Sequence, residues 1–98
     1  MRRYELVLKR GAIEDLDRLR RYDATQIADA MEKHLTYEPM KESRTRIKRL
    51  RSVSEPDYRL RVGNYRVFYS IREQERRVDV LRIMHKYETR EFYEELER

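Results

Sequence analysis

The segment Tyr58-Arg-Leu-Arg-Val62, Gly63-Asn64, Tyr65-Arg-Val-Phe-Tyr-Ser-Ile71 constrains the fold more than any other stretch of the chain. Two runs with period-two alternation, separated by two turn residues, predict a β-hairpin in which Gly63-Asn64 supplies the positive φ angles of a tight turn. A two-residue turn sets the pairing: Val62 with Tyr65, Arg61 with Arg66, Leu60 with Val67, Arg59 with Phe68, and Tyr58 with Tyr69. One face then carries Tyr58, Leu60, Val62, Tyr65, Val67, Tyr69 and Ile71 and can pack on helices. The other carries Arg59, Arg61, Arg66, Phe68 and Arg72. Like charges directly opposite one another destabilise a sheet by a few tenths to about 1 kcal/mol. The Arg61–Arg66 pairing therefore serves no core, and an anion bound on that face relieves it.

The remaining elements fall around this hairpin. Arg3 to Lys9 reads as a first strand ended by Gly11, in need of a partner from elsewhere in the chain. Ala12 to Tyr22 has helical spacing in Ala12, Ile13, Leu16 and Leu19. Asp23 and Gln26 fit a capping box for a second helix, Ala24 to about Tyr37, with Pro39 just beyond. A basic stretch leads into a short strand near Arg46 to Leu50. Val78 to Met84 reads as a further strand, and Thr89 to Arg98 as a short acidic helix. The predicted class is α+β: a small, twisted antiparallel sheet made of the N-terminal strand and a C-terminal meander, with a helical hairpin on one face and a short C-terminal helix.

Composition narrows the function classes. At 98 residues the chain is expected to form a single domain. Charged residues make up 44% of it, which a disordered tail could also show, but Leu, Ile, Val and Phe stand just above the roughly 20% below which such chains stay unfolded. With no cysteine, disulfide scaffolds, thiolate zinc sites and cysteine nucleophiles are excluded. His34 and His85 are far apart and Asp79 is isolated, so no metal spacing is present and no cofactor is expected. No stretch reads as a signal peptide or membrane span, and a cytoplasmic location without membrane contact is expected.

The net charge of +5 is unevenly placed. Residues 41–66 hold nine Lys/Arg against three acids, whereas residues 88–98 hold two Arg against five Glu. Arg outnumbers Lys, a bias toward the bidentate fork that suits phosphate. A basic stripe with Phe68 beside it as a stacking surface is the footprint of nucleic-acid binding.

The arrangement YRLRVGNYRVFYSI followed by VLRIMHKYETREFYEEL resembles the second half of the RelE/ParE superfamily of bacterial toxins from toxin–antitoxin modules. The resemblance implies a small toxin held inactive by a cognate antitoxin whose disordered segment folds over basic surface as it binds. RelE-branch members are ribosome-dependent endoribonucleases that cut messenger RNA; ParE-branch members inhibit DNA gyrase on the same fold. Arg59 and Arg61 match two basic positions before the hairpin turn where RelE has lysines. Arg66 matches the arginine after the turn, and Tyr93 a tyrosine near the C-terminus. Tyr87 stands where RelE has a further arginine, preceded by His85 and Lys86; another toxin of the superfamily has a His-Tyr pair in about this place.

RNA carries its own nucleophile, the 2′-hydroxyl. Cleavage therefore needs a base near that hydroxyl, positive charge around the phosphate and an acid at the leaving 5′-oxygen, and it requires no metal. The expected catalytic set is Arg59, Arg61, Arg66, His85, Tyr87 and Tyr93, with Arg46, Lys48, Arg49, Arg51, Phe68 and Lys86 binding RNA. The expected partners are messenger RNA on the ribosome and the antitoxin. The alternatives are a gyrase inhibitor and an RNA-binding homologue without cleavage. His34 reads as an ordinary helix residue, Met31 and Met40 as packing, and Tyr4, Tyr22, Tyr37, Tyr58 and Tyr69 as core or core rim.

Overall fold

The hairpin forms in the register that its two-residue turn dictates. In the computed structural model, which describes residues 2–97, the elements in chain order are β1 (Glu5–Leu8), α1 (Arg10–Asp17), α2 (Arg21–Leu35), β2 (Ile47–Arg49), β3 (Tyr58–Val62), β4 (Tyr65–Arg72), β5 (Arg77–His85) and α3 (Thr89–Leu96). A 3-10 turn over Lys86–Glu88 precedes α3. Every cross-strand pair expected between β3 and β4 is present. Gly63 has φ +56° at the turn's first position, a left-handed backbone that glycine adopts without penalty, whereas Asn64 does not share the positive φ expected of it.

The sheet order is β1-β5-β4-β3-β2. It is antiparallel except at one edge: β1 finds its distant partner in β5 and pairs parallel, Glu5 opposite Arg77 through Leu8 opposite Val80. A register shift at Phe68/Tyr69 leaves Leu81 of β5 unpaired with β4. The α1–α2 side of the sheet holds the main core, in which Ala12, Ile27, Met31 and Leu35 meet Leu60, Val67, Tyr69, Val78, Val80 and Ile83. Each such buried aliphatic side chain contributes about 1.5–3 kcal/mol, against ~1 kcal/mol at most for an exposed pair such as Arg10–Glu14. The thin core, not the charged surface, holds the fold.

Helix boundaries differ from the sequence expectation for identifiable reasons. Gly11 does not end β1; it lies inside α1, where an added Cβ would stand 2.9 Å from the Leu81 carbonyl oxygen and 2.8 Å from Arg82 Cδ. The helix rests directly on the β5 bulge. Asp15 fastens it there, accepting the Ile83 backbone N–H at 2.7 Å and the Arg82 guanidinium at 2.8 and 3.2 Å. That N–H lies past the last residue of β5 that β1 covers, Val80, so the carboxylate takes the place of a missing strand.

The first helix stops at Asp17, not Tyr22, and α2 begins at Arg21 with Arg20 as N-cap and no side-chain cap. Asp23 is not a capping residue. It sits in the first turn of α2, paired with Arg20 at 3.4 Å and accepting the Tyr65 hydroxyl at 3.3 Å. Tyr22, Tyr37 and Met40 are exposed, not packed as expected, whereas Tyr4, Tyr58, Tyr69 and Met31 are buried. Arg98, the expected last residue of the final helix, lies outside the described residues.

Two consequences are measurable by urea unfolding. Gly to Ala inside a helix ordinarily stabilises by about 1 kcal/mol, but Gly11→Ala pushes a methyl into the Leu81 carbonyl and is expected to destabilise by about 1–3 kcal/mol; a gain in stability would contradict the close approach. The second concerns Asp79, 1% exposed, which accepts from Arg77 Nε at 2.7 Å and Arg72 Nε at 3.1 Å. Its hydrogen bond from Arg77, reinforced by Arg72 against the opposing effect of burial, holds its carboxyl below the usual range. The stability it adds is complete above the unfolded carboxyl value of about 3.9 and is lost as pH falls through the lower folded value. Asp79→Asn should cost about 3 kcal/mol at pH 7, with the gap to wild type closing below about pH 4. A gap independent of pH would show that the charge is not what matters.

Candidate nucleic-acid interface

Strand alternation places two cationic rows across the face of the sheet opposite the main core. Lys48, Arg59, Phe68 and Arg82 are directly opposite one another in successive strands, and Arg61, Arg66 and Met84 form the next row. The short α3 lies over the middle of this face. Phe68, fully buried, packs against Phe92 at 4.7 Å and edge-on to Tyr93 at 5.7 Å between ring centroids. The expectation of Phe68 as a stacking surface for bases is therefore corrected: its ring is the floor on which α3 rests, and solvent does not reach it.

The cations on this face divide into two groups. Arg82 is paired with Asp15, and Arg72 and Arg77 both hold Asp79, with Arg72 also 3.2 Å from Glu55. Arg59, Arg61 and Arg66 have no carboxylate partner among the described residues. Arg66 is instead held by the hairpin turn, its Nη1 donating to the Gly63 carbonyl at 3.1 Å and the Tyr65 carbonyl at 2.9 Å. Burial first, and then Arg59 and Arg61, lower its pKa, yet a guanidinium remains charged at neutral pH. Its positive charge is fixed in place and unneutralised.

Tyr93 joins these arginines from α3. Burial raises its phenol above the ordinary value, while Arg59 and Arg66 pull it back down, so the hydroxyl stands protonated within the field of two guanidinium groups. Of the sequence-expected catalytic residues, Arg59, Arg61, Arg66 and Tyr93 are thus brought together.

His85 and Tyr87 are not part of that cluster. His85 is directly opposite Tyr65, which faces α2, and the two rings meet edge-on at 5.4 Å. It lies on the α1–α2 side of the sheet. Tyr87, 82% exposed, stacks on His85 at 4.8 Å, and Lys86 Nζ is 5.4 Å from the Tyr87 ring. The reason is the register: His85 alternates in phase with Ile83, which belongs to the main core.

The expected RNA-binding cations also split. Lys48 is opposite Arg59 and shares the cationic face. Arg49, one residue on, turns to the other side, where its guanidinium is 5.8 Å from the Tyr58 ring. Arg46 borders a cleft with Lys33, His34 and Tyr37 beside α2. Burial, then Arg46 and Lys33, lower the His34 pKa. Arg51 is exposed beyond β2.

Sequence reasoning missed Asp15 and Asp79 as the residues that select which arginines stay free. Asp79 had a readable signal, since it lies two residues from Arg77 on one strand and so on one face. Asp15, 67 residues from Arg82, had none. Among the described residues, no three His, Asp or Glu side chains gather in a way that could hold a metal ion, and no helix is long and apolar enough to cross a membrane.

Comparison with known proteins places this geometry in a family. Residues 6–89 match the family model described as "ParE toxin of type II toxin-antitoxin system, parDE". Among solved structures, the chain is similar to one in the RelBE2 toxin–antitoxin complex of Mycobacterium tuberculosis, with 26% identity, a TM-score of 0.73, and coverage of 87% of this chain and 93% of that one. The archaeal RelE-RelB complex from Pyrococcus horikoshii OT3 follows at 23% identity and TM-score 0.68, covering 85% and 94%. A free-state mutant of Escherichia coli RelE shares the fold at 22% identity and TM-score 0.68, covering 96% and 94%. No curated protein sequence matches. By a family match that spans most of its length, on a fold shared with RelE structures, the chain belongs to the ParE toxin family of type II toxin–antitoxin systems, within the RelE/ParE superfamily.

Proposed function

We propose that this toxin is a ribosome-dependent, metal-independent endoribonuclease that cleaves messenger RNA by attack of the 2′-hydroxyl on the adjacent phosphate, and that it acts in the cytoplasm. The observation that carries the reading is the selective neutralisation of the cationic face: Asp15, Asp79 and Glu55 cancel Arg82, Arg77 and Arg72, while Arg59, Arg61 and Arg66 are left for an external anion. A phosphate between them gains charge as the 2′-oxygen attacks, and fixed guanidinium groups stabilise that added charge without reorganising. Tyr93, kept protonated by burial, is suited to donate its proton to the leaving 5′-oxygen. Neither imidazole lies on this face, and arginine is a poor base. That deficit supports dependence on the ribosome, which supplies the remaining positioning and proton acceptance. The antitoxin partner is inferred from the RelB–RelE complexes that share the fold; an acidic segment of it laid over Arg59, Arg61 and Arg66 satisfies the same charges as RNA does.

The family name supports a second reading, in which the same face contacts DNA gyrase. Supercoiling inhibition by purified toxin with messenger RNA left intact would establish that reading and remove the first.

In a purified translation system with mapped messenger RNA ends, Arg61→Ala and Arg66→Ala are each expected to slow cleavage by about 10²–10³-fold, the cost of one lost charge-stabilising donor. Unchanged cleavage would sink the proposal. Tyr93→Phe keeps the ring on Phe68 and removes only the hydroxyl, so cleavage should fall about 10²-fold or more while the melting temperature stays within a few degrees of wild type. Equal rates for Tyr93→Phe and wild type would remove Tyr93 from the proton transfer.

A further inference from the structure

Tyr65, His85 and Tyr87 form a ladder of rings from the core to solvent. Tyr65 is anchored below by its hydroxyl on Asp23 and meets His85 edge-on, with 77° between ring planes; His85 lies nearly parallel to Tyr87, at 26°. Backbone and side-chain bonds hold the top of the ladder still. The Tyr87 N–H donates to His85 Nδ1 at 3.3 Å, the His85 N–H to Glu88 Oε1 at 3.0 Å, and the Lys86 N–H to the Asn64 carbonyl at 2.7 Å. An exposed tyrosine is by itself unremarked on a protein surface. An exposed tyrosine stacked on a second ring, on a backbone held by three hydrogen bonds, has lost part of the freedom that binding would otherwise remove.

The ladder and the free arginines share one support. Gly63 and Tyr65 hold the Arg66 guanidinium through their carbonyls, and Asn64 between them holds Lys86. Positive charge thus runs from Arg61 and Arg66 around the hairpin turn to Lys86 beside the Tyr87 ring. Cations placed beside an aromatic ring suit a single-stranded nucleic acid, in which any base offers a π-face to a ring while its phosphate meets a cation.

The geometry points to Tyr87 as a base-stacking step for single-stranded RNA, receiving a nucleobase of a strand that continues around the hairpin turn from the phosphate held by Arg61 and Arg66, with His85 positioning the Tyr87 ring. This rests on the RNA reading of the arginine face. It assigns an RNA contact, tolerant of base identity, to residues that the catalytic cluster leaves aside.

The probe is a set of eight-nucleotide single-stranded RNAs with 2-aminopurine at successive positions, titrated with the intact toxin at low salt. Wild type is expected to quench one position strongly. Tyr87→Leu should remove that quenching and weaken binding about tenfold, and Tyr87→Phe should retain both. Because the Tyr87 ring is exposed, both variants keep the fold, which circular dichroism verifies. No binding by wild type, quenching that persists in Tyr87→Leu, or a loss confined to antitoxin capture overturns the inference. Site-specific quenching without ribosomal cleavage contradicts the nuclease reading alone, whereas normal cleavage with Tyr87-independent RNA binding contradicts the stacking step alone.

Discussion

The pairing of β3 with β4 is the constraint on which the rest of the molecule depends. Its two-residue turn admits one register, and that register sends Leu60, Val67 and Tyr69 into the core under α1 and α2 while sending Arg59, Arg61 and Arg66 to the opposite face. A slip by one residue would exchange the two sets. The register fixes which positions face away from the core, and the sequence fills those of Arg59, Arg61 and Arg66 with charges that the core does not need. Such charges are either neutralised from within the molecule or left for an external anion.

The structure does both. Asp79 sits between Arg72 and Arg77, and Asp15 reaches from α1 to Arg82 while also satisfying the Ile83 N–H beside the β5 bulge. These contacts leave positive potential at the turn end of the sheet. Arg61 opposite Arg66 costs a few tenths to about 1 kcal/mol, a small debt against the burial of the facing side chains but one that a bound phosphate turns into a gain. The carbonyl clasp on Arg66 keeps that cation from swinging into solvent. Tyr93 reaches the same place because α3 rests on Phe68, so the floor that supports the helix also positions the phenol.

Much of this was legible in the sequence because strand alternation and turn chemistry are local. The hairpin register and the division of its faces follow from residues 58–72 alone; which arginines stay unneutralised does not, because Asp15 and Asp79 lie outside that segment. What was not legible depends on contacts distant in the chain. Gly11 reads as a strand terminator, but its absent side chain is needed where α1 meets Leu81. Asp23 reads as a cap, but Tyr65, 42 residues later, claims its carboxylate. Phe68 reads as an exposed ring because nothing in its own strand reveals that Phe92 and Tyr93 will cover it. His85 reads as a neighbour of the arginines in sequence order, and only the β4–β5 register shows it on the other side.

Family membership sets the class of the molecule, a toxin of a type II module, and the disposition of charge carries the reading of what that toxin attacks. The most direct measurement is transcriptome-wide mapping of messenger RNA 5′ ends after induction in a bacterial host, with and without the adjacent reading frame. The account predicts new ends inside translated codons, accompanied by growth arrest, and both abolished by co-expression of the neighbour. Growth arrest with intact messenger RNA and with gyrase-linked DNA breaks would contradict it.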